Sequence, residues 1–149
     1  MDDLDDDCIV ELEELDQLDY SKNAPLKLER PDVLDSKTHK IIVPNQDKEL
    51  VELYLTISHT EEGELLEMFL NLKDQAMYEW LIAITRLASK LMQYRVPVYE
   101  IVNELKGIGS TTTGHYIPES QGVYAKSVAA RLGHTLEEHY EKYCLKKES

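Results

Sequence analysis

The sequence predicts an α+β fold: a small antiparallel sheet, a hairpin plus a short strand, covered by three to four helices. Three observations carry this. Residues 50–59 and 65–72 alternate apolar and polar side chains, with Gly63 between them, which is the pattern of a hairpin. From Met77 onward the apolar period lengthens to that of a helix. The strands precede the helices, which predicts helices packed on one sheet face.

The elements follow in order. Pro31 holds Arg30 out of the helical region, so "LKLERPDVL" (26–34) is an extended entry. "THKIIV" (38–43) is a short strand ended by Pro44-Asn45. In "LVELYLTISH" (50–59), Val51, Leu53, Leu55 and Ile57 alternate with Glu52, Tyr54, Thr56 and Ser58. "TEEGE" supplies the turn, where Gly63 can take a positive φ, and "LLEMFLNL" (65–72) returns. Met77, Trp80, Leu81, Ile84, Leu87, Ala88 and Leu91 form the core stripe of a long amphipathic helix, with Glu79, Thr85, Arg86, Ser89 and Lys90 on its polar face. "RVPVYEIVNELKG" (95–107) is a second helix, with Pro97 in its first turn, Val98, Ile101, Val102 and Leu105 on one face, and Gly107 past its end. A loop spans 107–122. "VYAKSVAARLG" (123–133) is a third helix stopped by Gly133. "TLEEHYEKYCLKK" (135–147) is a fourth, opened by Thr135 and Glu138 in capping-box spacing. There are no internal repeats.

The charge is uneven. The chain of 149 residues has a net charge of -13, yet ten of its 29 acids fall in residues 1–21, which hold no Lys or Arg. The other 19 acids face all 16 bases. Residues 1–24 therefore read as a solvated, disordered acidic arm, and 25–149 as one near-neutral domain. An acidic leader repels phosphate backbones, which argues against duplex nucleic acid. A small anionic nucleotide needs only two or three local cations and stays open. Cys8 and Cys144 stand far apart and alone, so they form neither a disulfide framework nor a metal or redox pair. No apolar run reaches membrane-spanning length and no signal pattern opens the chain. The expectation is a cytoplasmic protein, with no membrane partner.

The richest site chemistry lies in "GIGSTTTGHY". Ser110, Thr111, Thr112 and Thr113 can donate to phosphate or ribose oxygens, and His115 and Tyr116 can stack on a base. No Gly-Lys-Ser/Thr makes it a P-loop. A plain connector between helices explains the same composition. Arg86 and Lys90 lie one turn apart. With Arg30, Arg95, Lys126 or Arg131 they could clamp an anion, although a solvated helix face accounts for each singly. Lys126 and Ser127 fall near a helix start, where free N–H groups favour anions. His39, His59, His115, His134 and His139 match no ligand spacing, so they read as scattered surface histidines and no metal or other cofactor is expected. No nucleophile elbow or triad appears, so no catalytic residue is assigned. Nine Tyr against one Phe form a polar aromatic set of the kind found at interfaces or base-stacking surfaces; several are expected at subunit contacts, and the expected state is a homo-oligomer.

Four segments, in order, resemble the TSCPD domain, the small module near the C-terminus of adenosylcobalamin-dependent (class II) ribonucleotide reductases. They are "ERPDVLDSKTHKI", the hairpin "ELYLTISHTEEGELLEMFLNL", the helix pair "WLIAITRLASKLMQYRVPVYEIVNELKGI" and the closing "YAKSVAARLGHTLEEHY". Three departures stand out. The reductase barrel is missing, the paired redox cysteines are missing, and the cysteine signature that names the domain reads "STTTGHYIPESQG" here. The resemblance implies a free-standing accessory or regulatory module that docks on a ribonucleotide reductase large subunit and has no catalysis of its own. A second reading is a nucleotide sponge. The architecture is broadly similar to small phage proteins that sequester cyclic nucleotide signals to counter the Thoeris defence, as homo-oligomers in the host cytoplasm. A structural interaction domain without a small ligand is the third.

Overall fold

The computed structural model describes residues 27–145. The acidic arm and Cys8 lie outside the described residues. Three strands, β1 (Asp35–Pro44), β2 (Leu50–His59) and β3 (Leu65–Leu72), form an antiparallel meander in the order β1-β2-β3. The α+β class expected from the sequence is the one observed. β1 is longer than 38–43 because its first residues pair fully with β2, from Asp35 opposite His59 to Pro44 opposite Leu50.

One sheet face makes the core. Ile41, Val43, Leu53, Leu55, Ile57, Met68, Leu70 and Leu72 are buried. The partners in register on the opposite face are polar or exposed: Lys40 stands opposite Tyr54, and Thr38 meets Thr56 hydroxyl to hydroxyl at 2.8 Å. Alternation along β2 thus decides which side the helices cover. Gly63 has φ +88° and makes the tight β2–β3 turn, closed by its N–H to the Thr60 carbonyl.

Helix α1 (Gln75–Gln93) starts on Asp74, whose carboxylate accepts from the Met77 N–H at 3.1 Å. It packs on β3, but not with the stripe the periodicity suggests. Met77, Leu81, Thr85, Ala88 and Met92 are buried, whereas Trp80, Leu87 and Leu91 are exposed. The cause is the free edge of β3. The Ser89 hydroxyl donates to the Met68 carbonyl at 2.9 Å and accepts from the Met68 N–H at 3.0 Å. Gln93 Nε2 donates to the Leu66 carbonyl at 3.3 Å. Satisfying these edge groups turns the Thr85–Ser89–Gln93 side toward the sheet and carries Trp80 and Leu87 away from it.

Helix α2 (Val98–Lys106) ends at Gly107, as expected, whereas Pro97 is its N-cap and not part of its first turn. A two-residue ladder follows, β4 (His115–Tyr116) with β5 (Tyr124–Ala125). The last helix corrects the sequence reading. One helix, α3 (Val128–His139), replaces the two expected, and it runs straight through Gly133 before widening into a π-helical turn at Tyr140–Cys144. Its cap is Ser127, not Thr135. Gly133 marks a helix crossing instead of a stop: a Cβ there would lie 2.8 Å from Leu105 Cβ and 3.1 Å from the Lys106 backbone nitrogen.

Candidate functional site

The sequence-nominated residues separate into two groups at opposite edges of the sheet. Along β3, Arg30 donates to both oxygens of Glu67, at 3.4 and 3.2 Å. Glu67 also borders a shallow hollow of about 250 Å³ with Arg86, Ser89 and Lys90. Arg30, Arg86 and Lys90 therefore surround a single carboxylate, leaving two local positive charges in excess. No residue of the 107–122 loop lines that hollow.

The loop lies on the β1 side. Of its hydroxyls, that of Ser110 is turned onto the loop's own backbone. Ser110 Oγ accepts from the Thr112 and Thr113 N–H groups, each at 3.1 Å, and the Ser110 N–H donates to the Lys126 carbonyl. Thr113 is buried and Thr111 and Thr112 are exposed. Ser127 Oγ is buried, donates to the Ile108 carbonyl at 2.6 Å and accepts from the Ala130 N–H, so it caps α3. His115 is held between the Thr113 carbonyl on Nδ1 and Arg131 on Nε2, each at 3.0 Å. Its Nε2 accepts from the guanidinium, so Nδ1 carries the proton. Burial lowers the His115 pKa; the Thr113 carbonyl opposes this and Arg131 adds to it. Tyr116 and Tyr124 form an exposed edge-to-face pair, 5.0 Å between centroids, and the Tyr124 hydroxyl fills the space a side chain at Gly114 would need.

A third cluster was not anticipated. His39, His59 and His139, expected as scattered surface residues, converge. His39 Nε2 lies 2.9 Å from His139 Nδ1, and His139 Nε2 lies 3.1 Å from His59 Nδ1. His139 is fully buried and His59 nearly so. Burial, then the two flanking imidazoles, push the His139 pKa down to about 3, so the central ring is neutral. Cys144 is buried beside them, and burial pushes its thiol up to about 11. One nitrogen each from His59 and His139 and the Cys144 sulfur all lie within 4.8 Å of one another.

The sequence profile of the TSCPD domain matches residues 22–140. The chain belongs to the TSCPD domain family. No curated protein and no solved structure matches it. The TSCPD match runs across all five strands, the three helices and both nominated site groups. No helix among the described residues is long and apolar enough to cross a membrane. The TSCPD module thus presents two features its local motifs do not announce: the cationic rim around Glu67 and the histidine cluster. A usable signal for the second exists. His59 continues the buried phase of Leu53, Leu55 and Ile57, His39 shares the phase of Ile41 and Val43, and His139 follows Leu132 and Leu136 at helical spacing.

Proposed function

We propose that this TSCPD chain is an accessory or regulatory module of nucleotide metabolism that docks on a ribonucleotide reductase large subunit and supplies no catalytic residues of its own. Family membership directs the choice of partner. The observation that carries the reading is an uncovered apolar ridge on α1. Trp80, Leu87 and Leu91 are 38, 68 and 43 % exposed and follow one another at helical spacing, with Tyr94 continuing the line. Beside them Leu91, Val96 and Ile101 border a hollow of about 440 Å³. A large aromatic and two leucines left in water beside a hollow are the usual anchors of a protein interface. The test is capture of the full-length chain by a class II reductase large subunit. The double variant Leu87→Asp/Leu91→Asp should abolish capture with thermal stability unchanged. A wild-type chain that neither binds nor alters the reductase defeats the proposal.

A second reading rests on the rim of Arg30, Arg86 and Lys90. Two cations one helical turn apart suit a phosphate. On this reading the chain sequesters a small anionic, including cyclic, nucleotide as a homo-oligomer. Native mass spectrometry followed by denaturation separates the two. A retained nucleotide, lost in Arg86→Ala, favours the sponge. A ligand-free chain that shows no thermal shift across a nucleotide panel removes it.

A further inference from the structure

We propose that His59, His139 and Cys144 form a binding site for a zinc-type divalent transition ion, with His39 orienting the central ligand. Ligand chemistry is the first support. Two imidazoles and a thiol are a donor set that zinc and its neighbours accept. Distances are the second. In a tetrahedral centre with ordinary zinc bond lengths, two nitrogens stand about 3.3 Å apart and a nitrogen and a sulfur about 3.6 Å apart. His59 Nδ1 and His139 Nε2 are already 3.1 Å apart. The sulfur needs to move in by at most about 1.2 Å from its 4.8 Å limit to satisfy the same geometry.

The backbone supplies the third support, because three irregularities meet at this point. The β2–β3 register shifts between Ser58 and His59, where Leu66 is the extra residue on β3, so the sheet twists locally beside His59. The α3 helix widens into its π turn directly after His139, and that turn ends on Cys144. The Gly63 turn packs on the Cys144 backbone so closely that a Cβ there would lie 2.4 Å from the Cys144 carbonyl oxygen. Each departure from regular structure carries a cost, and together they place the three donors.

His39 completes the arrangement. When His139 gives its Nε2 lone pair to a metal, its Nδ1 must carry the proton, and His39 Nε2 sits 2.9 Å away to accept it. A hollow of about 460 Å³, bordered by His39, Glu138, His139, Lys142 and Tyr143, opens on the His39 side of His139; His59 and Cys144 do not border it. Binding releases one proton, from the Cys144 thiol, to solvent; no electrons are exchanged.

The experiment uses the full-length untagged chain, stripped with chelator and titrated with Co²⁺, then with Zn²⁺. Expected is one Co²⁺ per chain, a sulfur-to-cobalt charge-transfer band in the near ultraviolet, displacement by Zn²⁺ and a higher Tm with Zn²⁺. Cys144→Ser should lose the band and Cys8→Ser should keep it, which separates the site from binding by the acidic arm. His39→Gln should weaken Co²⁺ about tenfold or more while the band remains, the response of a positioning residue. Absence of the band in the wild type overturns the proposal, and so does its survival in Cys144→Ser. Because the wild-type titration decides by itself, a variant that fails to fold leaves the test intact.

Discussion

Gly133→Ala offers a direct test of how the helical layer is built. Gly133 is buried in the middle of α3 where it crosses α2. On helix propensity alone, alanine should stabilise by about 1 kcal/mol. The crossing opposes this. The new Cβ would stand 2.8 Å from Leu105 Cβ and 3.1 Å from both Lys106 Cγ and the Lys106 backbone nitrogen. Two of these three atoms lie on or next to the α2 backbone and cannot swing aside, so the helices must part by roughly 0.6–1 Å to restore ordinary contact. Overpacking of this kind costs about 1–3 kcal/mol. The net expectation is destabilisation by about 1 kcal/mol, and by about 3 kcal/mol for Gly133→Val, which adds two methyl groups and lowers propensity. The assay is urea unfolding followed by far-ultraviolet circular dichroism. Gly109→Ala, where no atom lies within 4 Å of the new Cβ, is the control and should be neutral or slightly stabilising. Gly133→Asn separates crossing from helix stop: a left-handed cap tolerates Asn, but the crossing rejects it at least as strongly as Ala. A stabilised Gly133→Ala, or an Asn variant milder than the Ala variant, refutes the close-crossing argument.

Three further outcomes are expected. Ser127→Ala removes the α3 cap and leaves the Ile108 carbonyl without its donor, which should lower unfolding free energy by about 1–2 kcal/mol in the same assay. Thr85 is buried and its hydroxyl only donates back to the Ile82 carbonyl, so Thr85→Val should change stability by less than about 1 kcal/mol, whereas Thr85→Asp should cost about 3 kcal/mol or more. His115 has a lowered folded pKa, so the unfolded chain takes up the proton first as pH falls; the folded state keeps its full advantage above about pH 6.5 and loses it below. The fall in stability between pH 7 and 5 should therefore be shallower in His115→Gln than in the wild type, and an unchanged slope would show that this imidazole is free to protonate in place.

The sheet was legible because β2 and β3 are paired neighbours in sequence and one face is dry. Alternation then writes the fold directly into residues 50–72. The α1 stripe was legible only to within a rotation. Periodicity shows that a helix has an apolar side, but Trp80, Leu87 and Leu91 extend that side beyond what β3 covers, and the polar demand of an edge strand chose which part is buried. Gly133 was misread for a related reason. A glycine in a helical pattern signals either an end or a close approach, and only the position of α2 distinguishes them. The grouping of the nominated site residues depends on topology: Arg30 joins Arg86 and Lys90 through Glu67, while the Ser110 hydroxyl binds its own loop's backbone on the other edge.

The histidine cluster shows what kind of reasoning a spacing rule cannot perform. Ligand motifs such as two histidines four apart work because one helix or one turn holds both donors. Here the partners are 20, 80 and 100 residues apart, and three separate elements bring them together. Spacing was therefore the wrong question. Phase is the better one. A histidine in the buried phase of a strand or helix must find a hydrogen-bond partner in the core, because an unpaired buried imidazole costs on the order of 1–3 kcal/mol. Among the five histidines, His59 and His139 meet that condition fully, His39 partly. Antiparallel pairing sets Asp35 opposite His59, so His39, four residues along β1, points to the same sheet face. Once β1 and β2 are paired, two buried-phase histidines share one face, and His139, on the phase of Leu132 and Leu136, meets them from the helical layer. Convergence follows from burial and register together, and neither local motif nor composition contains it.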